Sequence, residues 1–449
     1  MANSKRKIIK YGALILVAVV VYLGVTQYPK LNLFVGYSAK MMSSSVFVGQ
    51  RSAAFTDAND NNFTPVNLAQ DKVDESTQIV SSSFYGLMTR KALYREGLGS
   101  VLLVDGYDIN TPMPVPKRNK MPTNNPYPYG EGAQKDTVFL NVNYAELQRV
   151  VDSAFTQPDV KKTRSVLVIY KDQIIAEKYA EGFDEKSILP GWSMTKSITS
   201  TIVGILQTNG ELTITEPAPI PEWKDDERAK ITLNDLLHMN SGLAWSEDYK
   251  RISDAPRMLF LSEDMSKVQQ GKELVGTPNN LWNYSSGTTN LLSGILRNYF
   301  PTHQAYLDFW YTDLIDRIGM HSMLIEADLA GNYVGSSYGW ATTRDWAKFG
   351  LLYLHRGNWN GDQVFDPAWT DYVRTPTNTS NGEYGGHFWL NAGGKYPDAP
   401  KDLYSANGFQ GQRIFIIPSK NLVVVRMGLA GNDGFDFNGF LKGLVQAIE

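Results

Sequence analysis

The segment at residues 8–25 places the strongest constraint on the fold of this 449-residue chain, because it is almost wholly apolar. Its length is about what a helix needs to cross a bilayer with a slight thickness mismatch. Lys5, Arg6 and Lys7 precede the segment, and Lys10 lies close to its start. A helix buried in a protein core rarely carries four basic residues at one end, so we predict a transmembrane helix at residues 8–25.

The same segment predicts a topology. Basic residues on the N-terminal side of an apolar helix favour a cytoplasmic N-terminus. Residues 1–7 are therefore predicted to be a cytoplasmic tail, and the chain beyond Val25 is predicted to lie on the periplasmic or extracellular side of the cytoplasmic membrane. A cleaved signal peptide has a similar pattern, but no small-x-small cleavage site directly follows Val25. We therefore expect an uncleaved, single-pass signal-anchor.

The composition excludes several kinds of site. The chain contains no cysteine, which excludes disulfides, thiolate metal sites and a cysteine nucleophile. The net charge is −3 and no basic stripe occurs, so we predict no nucleic-acid partner. The sequence lacks an H-E-x-x-H motif, a close histidine pair and a glycine-rich phosphate loop, and we predict neither a metal nor a cofactor.

Residues 26–135 are interpreted as an N-terminal extension and linker. Within them the sequence predicts a helix at 37–47, a loop at 51–67, and strands at 78–85 and 100–104. Residues 110–136 are rich in Pro, Asn, Lys and Gly, which is typical of a boundary or of an extended segment that wraps a domain. The main domain is therefore placed at residues 136–449.

Strands are predicted at both ends of this main domain. Residues 165–170 and 173–179 form one hairpin near its start, and residues 412–417 and 422–428 form another near its end. Residues 232–356 between them are largely helical. A sheet assembled from both ends of a domain, with a helical insert between, indicates an α+β fold: an antiparallel sheet flanked by helices, with a site between the two layers.

Ser193 and Lys196 form a Ser-x-x-Lys pair at the predicted start of a helix. Side chains three residues apart lie on one helix face. A serine in the first turn lies in the positive field of the helix N-terminus, and a partly desolvated lysine can lose its proton and act as a base. Taken alone, the pattern more often marks a capping serine and a solvated lysine.

A Ser-His-Asp triad is the main alternative, and the sequence supports it less well. No G-x-S-x-G motif is present. None of the five histidines lies in a recognisable catalytic motif, and each fits an ordinary surface or core position: His238, His303, His321, His355 and His387.

Two later stretches supply partners for Ser193 and Lys196. Tyr284 stands just before a predicted helix, where a phenol held near a lysine cation is expected to have a lowered pKa and to shuttle a proton. Gly408 and Gly411 enter the C-terminal hairpin and allow close backbone approach, so the N–H of Phe409 can join that of Ser193 in holding an oxyanion. The alternatives are a tyrosine packed at a helix start and a glycine-rich turn.

The order and spacing of these parts resemble the serine β-lactamase and penicillin-binding-protein superfamily. The similarity is greater to its class C-related esterases and to the 6-aminohexanoate-dimer hydrolases. It covers about residues 136–449 and extends in part to residues 46–104, and the supporting stretches lie at residues 191–200, 236–243, 277–278, 282–287, 341–352 and 405–412. The resemblance implies that Ser193 is the acylated nucleophile, that Lys196 activates it, and that Tyr284 is a general acid/base. It also implies an oxyanion hole made by the backbone N–H groups of Ser193 and Phe409.

Two motifs depart from the family pattern. Ser286 replaces the amide residue of the Tyr-x-Asn motif, and Ala406-Asn407-Gly408 replaces Lys-Thr-Gly. Ala406 cannot grip a substrate carboxylate as that lysine does. The departures favour a small ester or linear amide over a β-lactam or a peptidoglycan peptide.

Six residues are candidate substrate contacts: Ser286, Asn407, Gly408, Gln410, Trp245 and Asp254. Trp245, Glu247 and Tyr249 follow a turn and are candidates for lining the pocket, and Asp254 is a candidate partner for a substrate amine. The alternative for these loop residues is an ordinary surface position.

The sequence therefore predicts a membrane-anchored serine hydrolase that cleaves a small carboxylic ester or linear amide through an acyl-enzyme on Ser193. One alternative is a β-lactamase or D-amino-acid peptidase of the same superfamily. Another is a binding protein without catalytic activity on the same fold, although such a protein has no need to keep Ser193, Lys196 and Tyr284 together.

Overall fold

The structure is a computed structural model that describes residues 2–135, 137–249, 251–431 and 433–448. The predicted domain boundary at Asp136 lies outside these residues. The α-helices are α1 Ala2–Ser43, α2 Ala53–Ala58, α3 Tyr144–Ser153, α4 Pro158–Lys161, α5 Thr195–Thr208, α6 Leu233–Leu237, α7 Asp254–Leu261, α8 Ser266–Gln270, α9 Ser286–Arg297, α10 His303–Phe309, α11 Thr343–Leu354, α12 Pro367–Arg374 and α13 Phe437–Gln446.

The strands form four antiparallel sheets in the part of the chain that the structure describes. They are β1 Gln70–Asp74, β2 Ile79–Phe84, β3 Met88–Arg95, β4 Gly99–Leu102, β5 Thr163–Tyr170, β6 Gln173–Tyr179, β7 Ile188–Pro190, β8 Leu324–Ile325, β9 Gly339–Thr342, β10 Asn358–Trp359, β11 Asp362–Gln363, β12 Trp389–Leu390, β13 Tyr404–Gly408, β14 Gln412–Ile417 and β15 Leu422–Gly428.

A six-stranded sheet joins the two ends of the main domain, as the sequence predicts. Its order is β12-β13-β14-β15-β5-β6, and Val424 of β15 lies opposite Val168 of β5. The β5–β6 hairpin turns at Lys171 and Asp172, both with positive φ, the conformation that two-residue hairpin turns require. The prediction of an α+β fold with an antiparallel sheet and a helical layer is confirmed.

Alternating side chains of the central strands enter two different cores, because successive residues of a strand point to opposite faces. Val168 and Val424 pack with α3 and α13 on one face. Leu167 and Val425 pack with α5 and α11 on the other, in a larger core shared with the helical insert. The larger core lies between the sheet and the helical layer, and α5 runs through it.

Helix α1 departs from the predicted organisation. The sequence predicts a membrane helix at 8–25 and a separate helix at 37–47, but the structure has one continuous helix from Ala2 to Ser43. A single π-helical turn then extends it to Val48. One helix of the described chain is long and apolar enough to cross a membrane, and its most apolar stretch is wholly exposed. From Phe34 onward the same helix is mostly buried in the protein.

The buried half of α1 packs against a four-stranded sheet with the order β1-β2-β3-β4. Only two of these strands are predicted from the sequence; β1 and β3 are not, because their polar residues lack the apolar alternation of a half-buried strand. Ala39 and Met41 of α1 share a core cluster with Ala92 of β3, and with Trp192 beside the predicted nucleophile. Residues 34–48 are thus packed as part of the folded protein. Residues 51–67, which the sequence predicts to be a loop, contain the short helix α2.

A buried ion pair fastens α1 to the main domain. Lys40 donates to Glu326 at 2.6 Å, and both side chains are almost fully buried. Ser44, Ser100 and Trp340 donate to the same carboxylate. A buried charge is tolerated only when it is paired and fully hydrogen-bonded, as this carboxylate is. The C-terminal half of α1 is therefore held in one position relative to the domain.

The proline-rich segment before the main domain follows the domain surface. Arg118 forms an ion pair with Asp316 at 2.6 Å, and the Tyr127 hydroxyl donates to the Arg344 carbonyl at 3.0 Å. Of the two interpretations of this segment, the contacts favour one that wraps the domain.

Candidate active site

Ser193 lies in a tight turn between β7 and α5. The turn is a 3₁₀ turn at Trp192–Met194, so α5 begins at Thr195 and not at Ser193 as the sequence predicts. Trp192 has a φ of 49°, which is uncommon for a residue other than glycine and often marks a functional site. Its ring stacks on Tyr37 of α1 and packs edge-to-face on Phe409. The residue before the nucleophile is thereby fixed on both sides.

Lys196 lies one helical turn after Ser193 and is buried. Its Nζ donates to Ser193 Oγ at 3.0 Å, to Ser286 Oγ at 2.9 Å and to the Ser336 carbonyl at 2.9 Å. Three acceptors satisfy the three N–H groups of an ammonium. The structure therefore brings the two residues of the Ser-x-x-Lys pair into direct contact.

Burial lowers the pKa of Lys196 to about 8, because the charged ammonium loses its hydration. The negative charge of Glu247 acts in the opposite direction and raises the pKa. With a pKa of 8, about one tenth of the amines are unprotonated at pH 7. A general base works best with a pKa near the operating pH, so Lys196 meets the requirement for taking the Ser193 proton.

Tyr284 lines the same cavity as Ser193, and its ring centroid is 5.0 Å from Lys196 Nζ. The expectation of a lowered pKa is wrong. Burial raises the pKa of Tyr284 far above its usual value, and the negative charge of Glu247 raises it further. A hydrogen bond with Ser193 and the positive charge of Arg413 lower the pKa, but by less. Tyr284 is therefore a neutral phenol, which can donate a proton but is not a phenolate base.

Glu247 is a central residue that the sequence identifies only as a possible pocket residue. Its carboxylate accepts hydrogen bonds from Ser286 N at 2.9 Å and from the hydroxyls of Ser286 and Tyr249. The Trp245 indole also donates to it. Ser286, which replaces the amide of the family motif, thus connects Lys196 to a carboxylate. No local motif reveals the contact between Glu247 and Ser286, because these residues are 39 positions apart in the sequence.

The end of β13 closes the site through a glycine contact. A side chain on Gly408 would begin 2.1 Å from the Gly191 carbonyl, so only glycine allows β13 to approach the turn that carries Ser193. Phe409 follows immediately, and both Phe409 and Ser193 line the same cavities. The strand thus places Phe409 beside Ser193 at the same two cavities.

Two cavities meet at Ser193. One has a volume of about 270 Å³ and is lined mostly by apolar side chains from α1, α7 and the neighbouring loops. The other has a volume of about 200 Å³ and contains polar and charged groups. We call them the apolar cavity and the polar cleft. Ser193, Tyr249 and Phe409 line both, whereas Tyr284 lines only the polar cleft.

The polar cleft contains two cations that sequence analysis does not identify. Ala406 supplies no charge and is buried, but Arg413 and Lys395 both line the cleft. Arg413 lies opposite Asn407 in the β13–β14 pair, so its place is set by strand register and not by a motif. The Asn407 Oδ1 atom is buried without a hydrogen-bond partner and is available to a ligand donor.

The predicted substrate contacts are only partly brought together. Asn407 and Gly408 line the polar cleft, and Ser286 lies behind Lys196. Gln410, Trp245 and Asp254 line neither cavity.

Gln410, Trp245 and Asp254 contact other parts of the protein instead. The Trp245 indole holds Glu247, and the Asp254 carboxylate pairs with Lys272 at 2.5 Å and accepts from Ser246 N. Gln410 adopts a positive φ, and its carbonyl accepts from Arg426.

The two buried histidines have hydrogen-bond partners other than Ser193. His387 is buried and hydrogen-bonded to Thr289 and to the Leu237 carbonyl, and burial lowers its pKa to about 3. His238 contacts Thr377, and burial lowers its pKa to about 4. Neither ring contacts Ser193 in these hydrogen bonds, so Lys196 is the base that the geometry offers.

An antiparallel sheet, a helical layer and, between them, a serine in contact with a buried lysine define the class of active-site serine hydrolases that includes esterases, amidases, β-lactamases and penicillin-binding proteins. The sequence profile of the Beta-lactamase family matches residues 153–430, and the chain belongs to this family. No match was found among curated proteins.

Solved structures show the same fold at low sequence identity. A protein from Bacillus anthracis assigned as a 6-aminohexanoate-dimer hydrolase is 21% identical, with a TM-score of 0.54 over 67% of this chain and 80% of its own. A penicillin-binding-protein homologue from Caulobacter crescentus is 14% identical, with a TM-score of 0.55 over 70% of this chain and 98% of its own. A family VIII carboxylesterase is 12% identical, with a TM-score of 0.51 over 70% of this chain and 98% of its own.

The Lys196 environment predicts the pH dependence of Ser193 reactivity. The rate of Ser193 labelling by a fluorophosphonate is expected to rise with pH and to level off above about pH 8, as the amine loses its proton. In Glu247→Gln the inflection is expected at lower pH, because the charge that raises the Lys196 pKa is gone. An unchanged inflection in this variant would contradict the assignment of the titrating group.

Proposed function

We propose that the protein is a membrane-anchored serine hydrolase that cleaves a small carboxylic ester or linear amide through an acyl-enzyme on Ser193. The observation that carries the proposal is the contact of a buried, weakly basic Lys196 with Ser193 Oγ at 3.0 Å. A capping serine and a solvated lysine would have neither this burial nor this contact.

The chemistry follows from the positions of three side chains. Unprotonated Lys196 takes the Ser193 proton while Oγ attacks the substrate carbonyl carbon, and the N–H groups of Ser193 and Phe409 stabilise the resulting oxyanion. Loss of one such donor typically costs about 3 kcal/mol in barrier height. The carbonyl re-forms as the leaving alkoxide or amine takes a proton from the neutral Tyr284 phenol, and the Lys196 ammonium returns its proton to the resulting phenolate. Neutral Lys196 then takes a proton from the water that attacks the acyl-enzyme, and Ser193 Oγ regains that proton as the acid is released.

Active-site labelling tests the assignment of nucleophile and base. A fluorophosphonate is expected to label Ser193, identified by mass spectrometry, and Lys196→Ala is expected to slow labelling at least about 100-fold, the usual contribution of a general base. Lys267→Ala is the matched control, because Lys267 is exposed and pairs with Asp264. Folded protein that is unlabelled at Ser193 would favour a binding protein without catalytic activity.

A β-lactamase or D-amino-acid peptidase remains the second candidate, and one observation favours it. Arg413 and Lys395 give the polar cleft the positive charge that a substrate carboxylate requires, although Ala406 gives none. Both cations have other partners: Arg413 donates to two backbone carbonyls, and Lys395 pairs with Glu383 at 3.1 Å. Glu383 offsets the charge of Lys395, and the carbonyls occupy part of the Arg413 guanidinium, which supports the ester or amide.

Relative turnover separates these two candidates. We expect kcat/KM for short p-nitrophenyl esters to exceed that for a chromogenic cephalosporin, because the cephalosporin needs a cation free to hold its carboxylate. Faster turnover of the cephalosporin would reverse the order of the two candidates.

We also infer that residues 8–25 span the cytoplasmic membrane, with residues 1–7 inside and the main domain on the periplasmic or extracellular side. Apolar side chains are exposed all around this part of α1, which suits a lipid environment and not an aqueous one. Burial of α1 from Phe34 onward supports retention of that part of the helix in the mature protein.

The absence of native cysteine makes this topology directly measurable. In intact cells, a membrane-impermeant maleimide is expected to label Lys224→Cys, a position whose side chain is 74% exposed, and to spare Ser4→Cys. Both variants should react after the membrane is opened. Labelling of Ser4→Cys alone in intact cells would reverse the proposed orientation.

A further inference from the structure

The apolar cavity is built partly by the helix that carries the apolar N-terminal stretch. Lys30, Leu33, Phe34 and Tyr37 line it from α1, at spacings of three, four and seven residues that define one helix face. They belong to the same unbroken helix as residues 8–25. With a rise of about 1.5 Å per residue, this face lies only about 8 to 18 Å beyond Val25.

The opposite wall of the apolar cavity comes from α7 and is also apolar. Pro256, Leu259 and Phe260 contribute it, and Ser193 lies at the inner end where the cavity meets the polar cleft. The charged side chains among the lining residues are Lys30 and Arg251, and both residues are exposed. Long basic side chains at such a rim can cover apolar surface with their stems while their charged ends stay in water or among lipid head groups.

The position of Tyr284 decides which part of a substrate enters each cavity. Tyr284 is the proton donor to the leaving group in the proposed reaction, and it lines only the polar cleft. The leaving alcohol therefore lies in the polar cleft, and the acyl group occupies the apolar cavity on the other side of Ser193.

We propose that the substrate is an amphiphilic ester resident in the membrane, whose fatty acyl chain enters the apolar cavity along α1 while its polar alcohol occupies the polar cleft. A monoacylglycerol has this chemistry. The inference rests on the proposed serine hydrolase function and specifies its substrate class. In this arrangement α1 is both anchor and acyl-binding wall, which explains why it continues into the protein without a flexible linker.

Acyl chain length tests the proposal with the full chain in phosphatidylcholine nanodiscs. From p-nitrophenyl acetate to the butyrate and octanoate, kcat/KM is expected to rise about fourfold for each added CH₂ while the cavity fills. Palmitate release is expected from monopalmitoylglycerol in the same nanodiscs. Turnover of acetate without any rise along the series, and without palmitate release, would overturn the substrate class but not the hydrolase.

Two variants locate the acyl chain. Leu33→Trp is expected to lower kcat/KM for the octanoate at least tenfold and to leave the acetate value within twofold, because the larger ring fills the apolar cavity. Leu68→Trp is the matched control, because Leu68 is exposed and lines neither cavity. Retained acetate turnover shows that the Leu33 variant is folded. Equal effects on both esters would contradict the placement.

A binding experiment tests the cavity without turnover. In Ser193→Ala, a diazirine-bearing fatty acyl glycerol is expected to cross-link to peptides of α1 and α7 near the apolar cavity, and Leu33→Trp should reduce this cross-linking. Cross-links confined to residues 8–25 would overturn the cavity as an acyl site. Failure of ester turnover and of Ser193 labelling, with cross-linking intact, would instead reject the hydrolase and keep the lipid site.

Discussion

The burial of one ammonium group governs the chemistry of this protein. Lys196 lies inside the core that joins the sheet to the helical layer, so its charge is costly and its pKa falls towards neutrality. The acceptors around it come from three separate elements: the Ser193 turn, the start of α9 and the loop before β9. The fold must therefore be complete before Lys196 has this environment, so the proposed activation of Ser193 depends on the folded protein.

The second constraint is the attachment of α1. A protein held at a membrane by a simple tether needs only a polar linker between the membrane and the domain. Here the helix continues unbroken, and Lys40 is paired with Glu326 in a buried network that also holds Ser44. Breaking a buried pair by removing one partner typically costs about 3–5 kcal/mol. Such a pairing fixes the direction of the apolar N-terminal stretch relative to Ser193.

The parts of the fold that the sequence predicts are those with strong local signals. The β5–β6 hairpin, β14 and β15 have clear periodicity and turn residues, and their boundaries match within about two residues. The strands β1 and β3 are missed because they are polar and are stabilised by packing against α1. The continuity of α1 is missed because Pro29 and the change in hydropathy suggest a break, although the helix accommodates both.

The residues of the candidate site also fall into two groups: those that local motifs predict and those that only the fold brings together. Ser193, Lys196, Tyr284 and the Gly408 turn are predictable because each lies in a short motif. Glu247 and Arg413 are not, since they reach the site through loop packing and strand register, and sequence spacing carries no record of either. The pKa of Tyr284 illustrates the consequence: proximity to Lys196 predicts a fall, but burial and Glu247 together produce a rise.

The residues that local motifs predict concern the reaction, whereas the residues that only the fold brings together concern the substrate. The motifs that define acyl transfer are local and lie within residues 153–430, where the family profile matches. The apolar cavity is lined in part by Leu33, Phe34 and Phe63, all of which lie before that match. Family membership therefore indicates the kind of chemistry expected at Ser193, whereas the sequence before the family match supplies part of the wall of the apolar cavity. A substrate proposal for this protein must therefore rest on that wall as well as on the family domain.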